Sequence, residues 1–148
     1  MDRKIILLVE DNPDDVELTR RAFEKANLTN PMTVVNDGAK AIDYIKGLGE
    51  FGQNDQHRLP AIILLDLKLP KVDGLEVLKE IRNFQPTQLT PVIILTSSLE
   101  EQDLINCYLN GANSYIRKPV DFNKFTQAVQ QLGMYWLLLN ELPPNPES

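Results

Sequence analysis

The segment Ala61-Ile62-Ile63-Leu64-Leu65-Asp66-Leu67-Lys68-Leu69-Pro70 carries the strongest structural signal in this chain. Its five leading apolar residues run directly into a single carboxylate, Asp66, and a proline closes it. A continuous apolar run of this length is typical of a strand buried on both faces of a parallel sheet, although periodicity alone leaves a short buried helix open. Because open α/β sheets bind ligands at the carboxyl ends of their strands, Asp66 is a candidate functional residue. The structural alternative is that Asp66 only begins a turn.

Strand-like runs and helical patterns alternate along the rest of the chain. Strands are predicted at 5–9, 32–35, 61–65, 91–95 and 115–117, and helices begin near residues 13, 39, 75, 100 and 122. Alternating strands and helices with right-handed crossovers produce a parallel sheet that is covered on both faces. The simplest strand order is 2-1-3-4-5, a doubly wound α/β fold with five strands and five helices in which strands one and three are neighbours.

The bulk composition is that of one globular domain, since 148 residues can bury a sizeable core. The net charge of -6 and the pI near 4.8 argue against a nucleic-acid surface, which needs clustered Lys and Arg. Cys107 is the single cysteine, as expected in a reducing compartment. No apolar run approaches the roughly 18 residues that span a bilayer, and the N-terminal run is too short for a signal peptide. We expect a cytoplasmic protein that binds neither nucleic acid nor membrane.

Charged and hydroxyl side chains follow four of the predicted strands. Glu10 and Asp11 follow the first strand, Asp66 the third, Thr96 the fourth and Lys118 the fifth. The predicted order brings the strand ends to one edge of the sheet, so we expect these side chains to converge there. Three carboxylates in one crevice repel one another without a cation, and a hard divalent ion such as Mg²⁺ suits oxygen ligands.

The same set of residues fits a phosphoryl group on Asp66. A metal ion would bridge the phosphoryl oxygens, Lys118 would supply a point charge, and the Thr96 hydroxyl would donate a hydrogen bond. Asp66 would then be a nucleophile that forms an acyl phosphate.

These residues, together with Pro70, Gly74, Ser97 and the segment Tyr115-Ile116-Arg117-Lys118-Pro119, resemble the signature of the receiver domain of two-component response regulators. The resemblance covers about residues 4–133 and implies a flavodoxin-like domain. It also implies that Asp66 takes a phosphoryl group from the phosphohistidine of a histidine kinase. Such a protein is a phosphoacceptor in a signalling pathway, not an enzyme in the usual sense, and assists its own phosphorylation and dephosphorylation.

The resemblance assigns a role to each site residue. It implies Mg²⁺, with Mn²⁺ as a substitute, bound by Asp11, Asp66 and the backbone carbonyl of Lys68, with Glu10 acting through water. Thr96 and Tyr115 would be a switch pair, in which the hydroxyl moves to the phosphate and the ring turns inward. Lys118 would contact the phosphoryl group, and the bond before Pro119 would be cis.

A narrower resemblance links the chain to single-domain regulators that serve bacterial-type phytochromes. It rests on the long loop at 47–60 and on the tail from Tyr135 to Pro144. It implies a phytochrome-type histidine kinase as the partner. We expect a receiver domain at 1–133, a C-terminal extension at 134–148 and no output domain, so that the signal passes by docking or dimerisation.

The end of the fifth predicted helix is apolar on every side. We expect a homodimer contact there, because exposed apolar patches usually mark interfaces; its residues are Met134, Tyr135, Leu137 and Leu138. The alternative is a helix end that is covered by its own tail, Leu142-Pro143-Pro144.

Each site residue also has a structural interpretation of its own. Thr96 could be a strand-end hydroxyl, Lys118 a solvated charge and Tyr115 a core aromatic, while His57 is expected to be a solvated loop residue. Two rival functions share the sheet topology, namely an enzyme such as a flavodoxin or an aspartate phosphatase, and a docking module with an inactive site. The acids after the first strand disfavour flavin phosphate, and Lys68 stands where the phosphatases have a second aspartate.

Overall fold

The computed structural model describes residues 4–51, 59–118 and 121–134. Five parallel strands form one sheet in the order β2-β1-β3-β4-β5, as the sequence predicts. The strands are β1 (Ile6–Val9), β2 (Met32–Val35), β3 (Ile62–Leu65), β4 (Val92–Thr96) and β5 (Ser114–Arg117). Thr96 is therefore the last residue of β4, whereas the sequence predicts a strand that ends one residue earlier.

Five helices connect or follow the strands, and each begins within one residue of its predicted start. They are α1 (Pro13–Lys25), α2 (Gly38–Lys46), α3 (Gly74–Asn83), α4 (Glu101–Leu109) and α5 (Phe122–Met134). Short 3₁₀ turns lie at Gly49–Phe51 and Gln85–Thr87. The doubly wound α/β fold is therefore confirmed.

Side chains of alternate strand residues pack into two apolar cores, one on each face of the sheet. Leu7, Ile63 and Ile94 lie in the core on one face, with residues of α2, α3 and α4. Ile62 and Leu64 point to the other face and pack with residues of α1 and α5. Burial on both faces explains why β1, β3 and β4 read as continuous apolar runs in place of alternating ones.

Side-chain caps begin four of the helices, including α5, where Asp121 Oδ1 accepts from Lys124 N at 3.0 Å. Asn12 Oδ1 accepts hydrogen bonds from the backbone of Asp14 and Asp15, and Pro13 occupies the first turn, so the predicted start of α1 is confirmed. Asp37 caps α2 and Asp73 caps α3 in the same way. These caps fix where each helix leaves the carboxyl edge of the sheet.

Much of helix α4 is exposed to solvent. Its residues at 104, 105, 107 and 108 are apolar, but Cys107 is the one fully buried residue within α4. The side chains of Ile105 and Tyr108 are 48% and 50% exposed. Periodicity identifies an apolar face but does not show whether a neighbouring element covers it, and α4 packs near the edge strand β5.

Several predicted features lie outside the described residues. They are His57 and most of its loop, Pro119 with its cis bond, and the tail that includes Tyr135, Leu137 and Leu138. Within the described residues, α5 extends to Met134. Within the described ranges, no helix has the combination of length and apolar content that crossing a bilayer requires.

Candidate functional site

The loop that follows Asp66 is held close to the sheet by two glycines. A Cβ atom at Gly74 would lie 2.2 Å from the Asp66 carbonyl oxygen, and the Gly74 N–H donates to Leu67 O at 2.9 Å. A Cβ atom at Gly38 would lie 1.8 Å from the Val72 carbonyl oxygen. Any larger residue at either position would push this loop outward, and the position of Asp66 at the mouth of the site therefore depends on both glycines.

The first and third strands bring three carboxylates together. Val9 pairs with Leu65 in the parallel register, and Asp66 N donates to Val9 O at 3.0 Å. Oxygens of Glu10, Asp11 and Asp66 consequently lie within 4.8 Å of one another. Glu10 is 2% exposed and Asp66 is 7% exposed, whereas Asp11 is open to solvent. We refer to these three residues as the acidic trio.

The Lys118 ammonium group lies directly against this trio. Its Nζ donates to Glu10 Oε1, to Asp66 Oδ2 at 3.3 Å and to Asp15 Oδ2 at 3.0 Å. The Lys118 backbone N–H donates to Thr96 O at 2.7 Å, which fastens the end of β5 to the end of β4. The cation therefore compensates buried negative charge that the trio would otherwise leave unpaired.

Burial and charge shift the pKa values of this pair in ways that can be traced to named groups. Burial raises the pKa of Glu10 to about 7; the Lys118 ammonium opposes this shift and the Asp66 carboxylate adds to it. For Lys118, burial lowers the pKa, but hydrogen bonds to Glu10 and Asp15 and the Asp66 charge outweigh burial and leave the pKa above its usual value. Lys118 is therefore a permanent cation near neutral pH, while Glu10 takes up protons readily.

Both carboxylate oxygens of Asp66 have a donor nearby. Oδ1 accepts from Lys68 N at 3.2 Å, and Oδ2 faces Lys118. The Lys68 side chain is exposed, so its backbone is the part of Lys68 that takes part in the site. The predicted role of the Lys68 carbonyl as a metal ligand remains a prediction.

The predicted switch residues lie beside the acidic trio, on β4 and β5. Thr96 is fully buried, and its Oγ1 accepts from Ser98 N at 3.2 Å. The Tyr115 ring packs against the core on the α3 face, and its buried hydroxyl has no hydrogen-bond partner among the described residues. The ring therefore has the inward orientation that the resemblance associates with the switch.

Three residues of this region were not assigned roles from the sequence. Asp15 holds Lys118, and Ser98 Oγ donates to Asp103 Oδ2 at 2.5 Å at the start of α4. The sequence offers two adjacent acids, Asp14 and Asp15, in the first turn of α1, and only the direction of the helix decides which of them faces Lys118. Burial raises the pKa of the Tyr115 hydroxyl.

An open cleft of about 530 Å³ adjoins the trio. It runs between the loop after β3 and the helix α4, and its lining includes Asp11, Lys68, Pro70, Asp73, Asp103 and Cys107. A reacting group carried by another molecule can reach the trio from this side. Burial raises the pKa of the Cys107 thiol to about 11, which leaves it protonated and unreactive at neutral pH.

The acidic trio fits a hard divalent cation. It offers oxygen ligands alone, at mutual distances that one ion can bridge, with one ligand open to solvent for bound water. The Lys118 ammonium already compensates part of the negative charge of the trio. A metal ion and the lysine would therefore act on the same carboxylates.

Comparison with known proteins identifies the family. The family model described as "Response regulator receiver domain" matches residues 6–130. The probable methanogenesis regulatory protein FilR2 of Methanothrix harundinacea (strain 6Ac) is 42% identical over 139 residues, which cover 94% of this chain and 87% of FilR2.

Solved structures are similar over nearly the whole chain. The bacteriophytochrome response regulator AtBRR is 50% identical, with a TM-score of 0.76 over 95% of this chain and 100% of AtBRR. The phosphorylated cyanobacterial phytochrome response regulator RcpA is 35% identical, with a TM-score of 0.85 over 96% of this chain and 99% of RcpA. The Mn²⁺-bound form of the response regulator Rcp1 is 34% identical, with a TM-score of 0.83 over 95% of this chain and 99% of Rcp1.

The family match spans most of the chain, and the relatives named above are similar to it in sequence as well as in fold. The similar structures include a phosphorylated form of RcpA and a Mn²⁺-bound form of Rcp1. The chain therefore belongs to the response regulator receiver domain family.

Proposed function

We propose that this receiver accepts a phosphoryl group on Asp66 from a histidine kinase, in a reaction that requires Mg²⁺. The observation that carries the proposal is the position of Asp66, which is buried beside two further carboxylates and one ammonium group at the carboxyl edge of the sheet. A lone strand-end aspartate would need none of these neighbours. Phosphorylation by a kinase is general in this family, and RcpA is described as phosphorylated.

The transfer step forms a bond between an Asp66 oxygen and phosphorus and breaks the phosphorus–nitrogen bond of phosphohistidine, whose imidazole keeps the electron pair. The Lys68 N–H orients one Asp66 oxygen, and the other oxygen is directed into the site. The Mg²⁺ ion supplies charge neutralisation for the phosphoryl oxygens when it is bound by Asp11, Asp66 and the Lys68 carbonyl, with Glu10 acting through water. Lys118 places a second cation beside the new acyl phosphate.

The response to phosphorylation runs through Thr96, Tyr115 and Lys118. The Thr96 hydroxyl leaves its hydrogen bond with Ser98 N and donates to the phosphoryl group. Lys118 moves toward the same oxygens and carries the end of β5 with it, because its backbone is bound to Thr96. The inward Tyr115 ring then packs more tightly against α4.

The test is mass spectrometry after incubation with a small phosphodonor and Mg²⁺. We expect one base-labile, acid-stable phosphoryl group on the wild type and none on Asp66→Asn or after Mg²⁺ is chelated. Asp14→Asn is the matched control, because it removes the same charge from an exposed residue and should be labelled normally. An unlabelled wild type would favour a docking module with an inactive site, and a labelled Asp66→Asn protein would refute the assignment.

The proposed partner is a phytochrome-type histidine kinase. AtBRR and RcpA, whose descriptions name phytochromes, are similar over at least 95% of this chain. FilR2, in contrast, is named for methanogenesis. The partner is therefore tested by comparing phosphoryl transfer from kinases of different sensor classes. We expect phosphorylated phytochrome-type kinases to transfer to this protein at least tenfold faster than a kinase of another sensor class. Equal rates from both classes would contradict the proposed pairing.

The proposed output is a phosphorylation-dependent contact between protein surfaces, including a homodimer through Met134, Tyr135, Leu137 and Leu138. Support for the dimer comes from the apolar composition of this segment. Analytical ultracentrifugation with and without a phosphoryl mimic tests it. A wild-type dimer that dissociates in Leu137→Glu, but not in the exposed control Gln130→Glu, is the expected result. A monomer under both conditions would overturn the dimer proposal.

A further inference from the structure

We propose that Asp15 is a positioning residue that offers the Lys118 ammonium an acceptor at the edge of the acidic trio, so that Lys118 can give up Glu10 and Asp66 to a metal ion and still remain beside the site. The proposal deepens the function proposed above and rests on it. Asp15 Oδ2 lies 3.0 Å from Lys118 Nζ, closer than Asp66 Oδ2 at 3.3 Å. Asp15 stands outside the acidic trio, so it can hold Lys118 without being a metal ligand itself.

The backbone around Asp15 is fixed by local contacts of α1. Asp15 N donates to the N-cap Asn12 at 3.4 Å, and Asp15 O accepts from Thr19 Oγ1 at 2.8 Å. Thr19 is buried. The carboxylate of Asp15 therefore projects from a backbone that these hydrogen bonds hold in place. The Asp15 side chain is partly buried, whereas that of the neighbouring Asp14 is exposed.

The inference follows from competition for the same charges. Lys118 now contacts Glu10 and Asp66, two of the three groups that would bind a metal ion. A metal ion at the trio compensates those two carboxylates and repels the ammonium group. Asp15 then gives Lys118 a remaining acceptor at the edge of the site, so that the ammonium shifts a short distance and stays ready for a phosphoryl group.

Removing Asp15 should tie Lys118 more firmly to Glu10 and Asp66 and make it a stronger competitor of Mg²⁺. The Asp15 side chain is 29% exposed and that of Lys118 15% exposed, so solvent screens part of the contact. We therefore expect Asp15→Asn to weaken Mg²⁺ binding by about three- to fivefold, as measured by titration calorimetry on the intact chain.

The control variants separate this role from simple charge or folding effects. Asp14→Asn removes the same charge from the same helix turn and should change the Mg²⁺ dissociation constant by less than about twofold, because exposed charges are screened. Asp15→Glu should retain near-wild-type binding. Thermal unfolding of each variant without metal reports whether the fold is intact.

A double-mutant cycle makes the test decisive. In a Lys118→Met background, Asp15→Asn should weaken Mg²⁺ binding no more than Asp14→Asn does, because no ammonium is left to reposition. An equal loss for Asp15→Asn with and without Lys118, or equal losses for the Asp14 and Asp15 variants, would overturn the role of Asp15 alone. A wild type that binds no Mg²⁺ would overturn both this inference and the proposed function.

Discussion

Two regions of the site differ. In the first, where the ends of β1 and β3 face the Lys118 side chain, the charged groups compensate one another. In the second, between β4, β5 and the start of α4, the Tyr115 hydroxyl is unpaired among the described residues. Lys118 holds Glu10, Asp15 and Asp66 by direct contact. In the second region, the buried Tyr115 hydroxyl has no hydrogen-bond partner within the described residues, although the Ser98–Asp103 pair lies nearby. The first region is therefore fixed by charge and the second by packing, and rearrangement should cost less in the second.

Removing the cation of the first region should have the largest effect. Lys118→Ala leaves buried Glu10 and Asp66 without compensation, and we expect a loss of about 3 kcal/mol in the free energy of unfolding at neutral pH without metal. Urea unfolding measures this loss, and Mg²⁺ should restore much of it. Lys79→Ala, which removes a surface ion pair with Glu76, is the control and should cost less than about 1 kcal/mol. Equal losses of unfolding free energy in the two variants would contradict the conclusion that charge compensation fixes the first region.

The loop that carries the first region should be sensitive to a single added methyl group. Gly74→Ala places a Cβ against the Asp66 carbonyl, and we expect a destabilisation of about 2–3 kcal/mol together with weaker Mg²⁺ binding. Gly49→Ala is the comparison variant, because its Cβ meets only a side-chain oxygen at 3.3 Å and the cost arises from its positive φ. Calorimetric unfolding and Mg²⁺ titration should show a metal-binding defect in Gly74→Ala alone.

The raised pKa of Glu10 predicts a pH dependence of stability. The folded protein binds a proton at Glu10 up to about pH 7, whereas the unfolded chain releases it near 4.5. The folded state therefore binds more protons in this window, and stability should fall by about 1–3 kcal/mol as pH rises from the lower value to the higher. Glu10→Gln should lack this component of the pH profile, and saturating Mg²⁺ should reduce it in the wild type. Parallel profiles for the wild type and the variant would contradict the assignment.

The second region should give the smallest effect, with the opposite sign. Tyr115→Phe removes a buried hydroxyl without a partner, so we expect a gain of about 0.5–1 kcal/mol in unfolding free energy. Tyr108→Phe, at a half-exposed position, should be nearly neutral. A clear loss of stability in Tyr115→Phe would mean that the hydroxyl is hydrogen-bonded in solution, and the contrast between the two regions would disappear.

The sequence predicts the fold and the acidic trio because both depend on strand order. Apolar runs identify β1 and β3, and parallel topology then requires Glu10 and Asp66 to meet. The contact of Lys118 with Asp15, and the inward Tyr115 ring, depend on helix direction and rotamer choice, which residue patterns do not encode. The exposure of Ile105 and Tyr108 on α4 could not be predicted, because hydrophobic periodicity does not reveal which neighbour covers a helix.

Lys118 links the acidic trio to the sheet through its backbone and its side chain. Its backbone is tied to the last residue of β4, and its ammonium tip lies 3.3 Å from Asp66. Under the proposed function, a change of charge at Asp66 would therefore act on the junction of β4 and β5 through a single side chain.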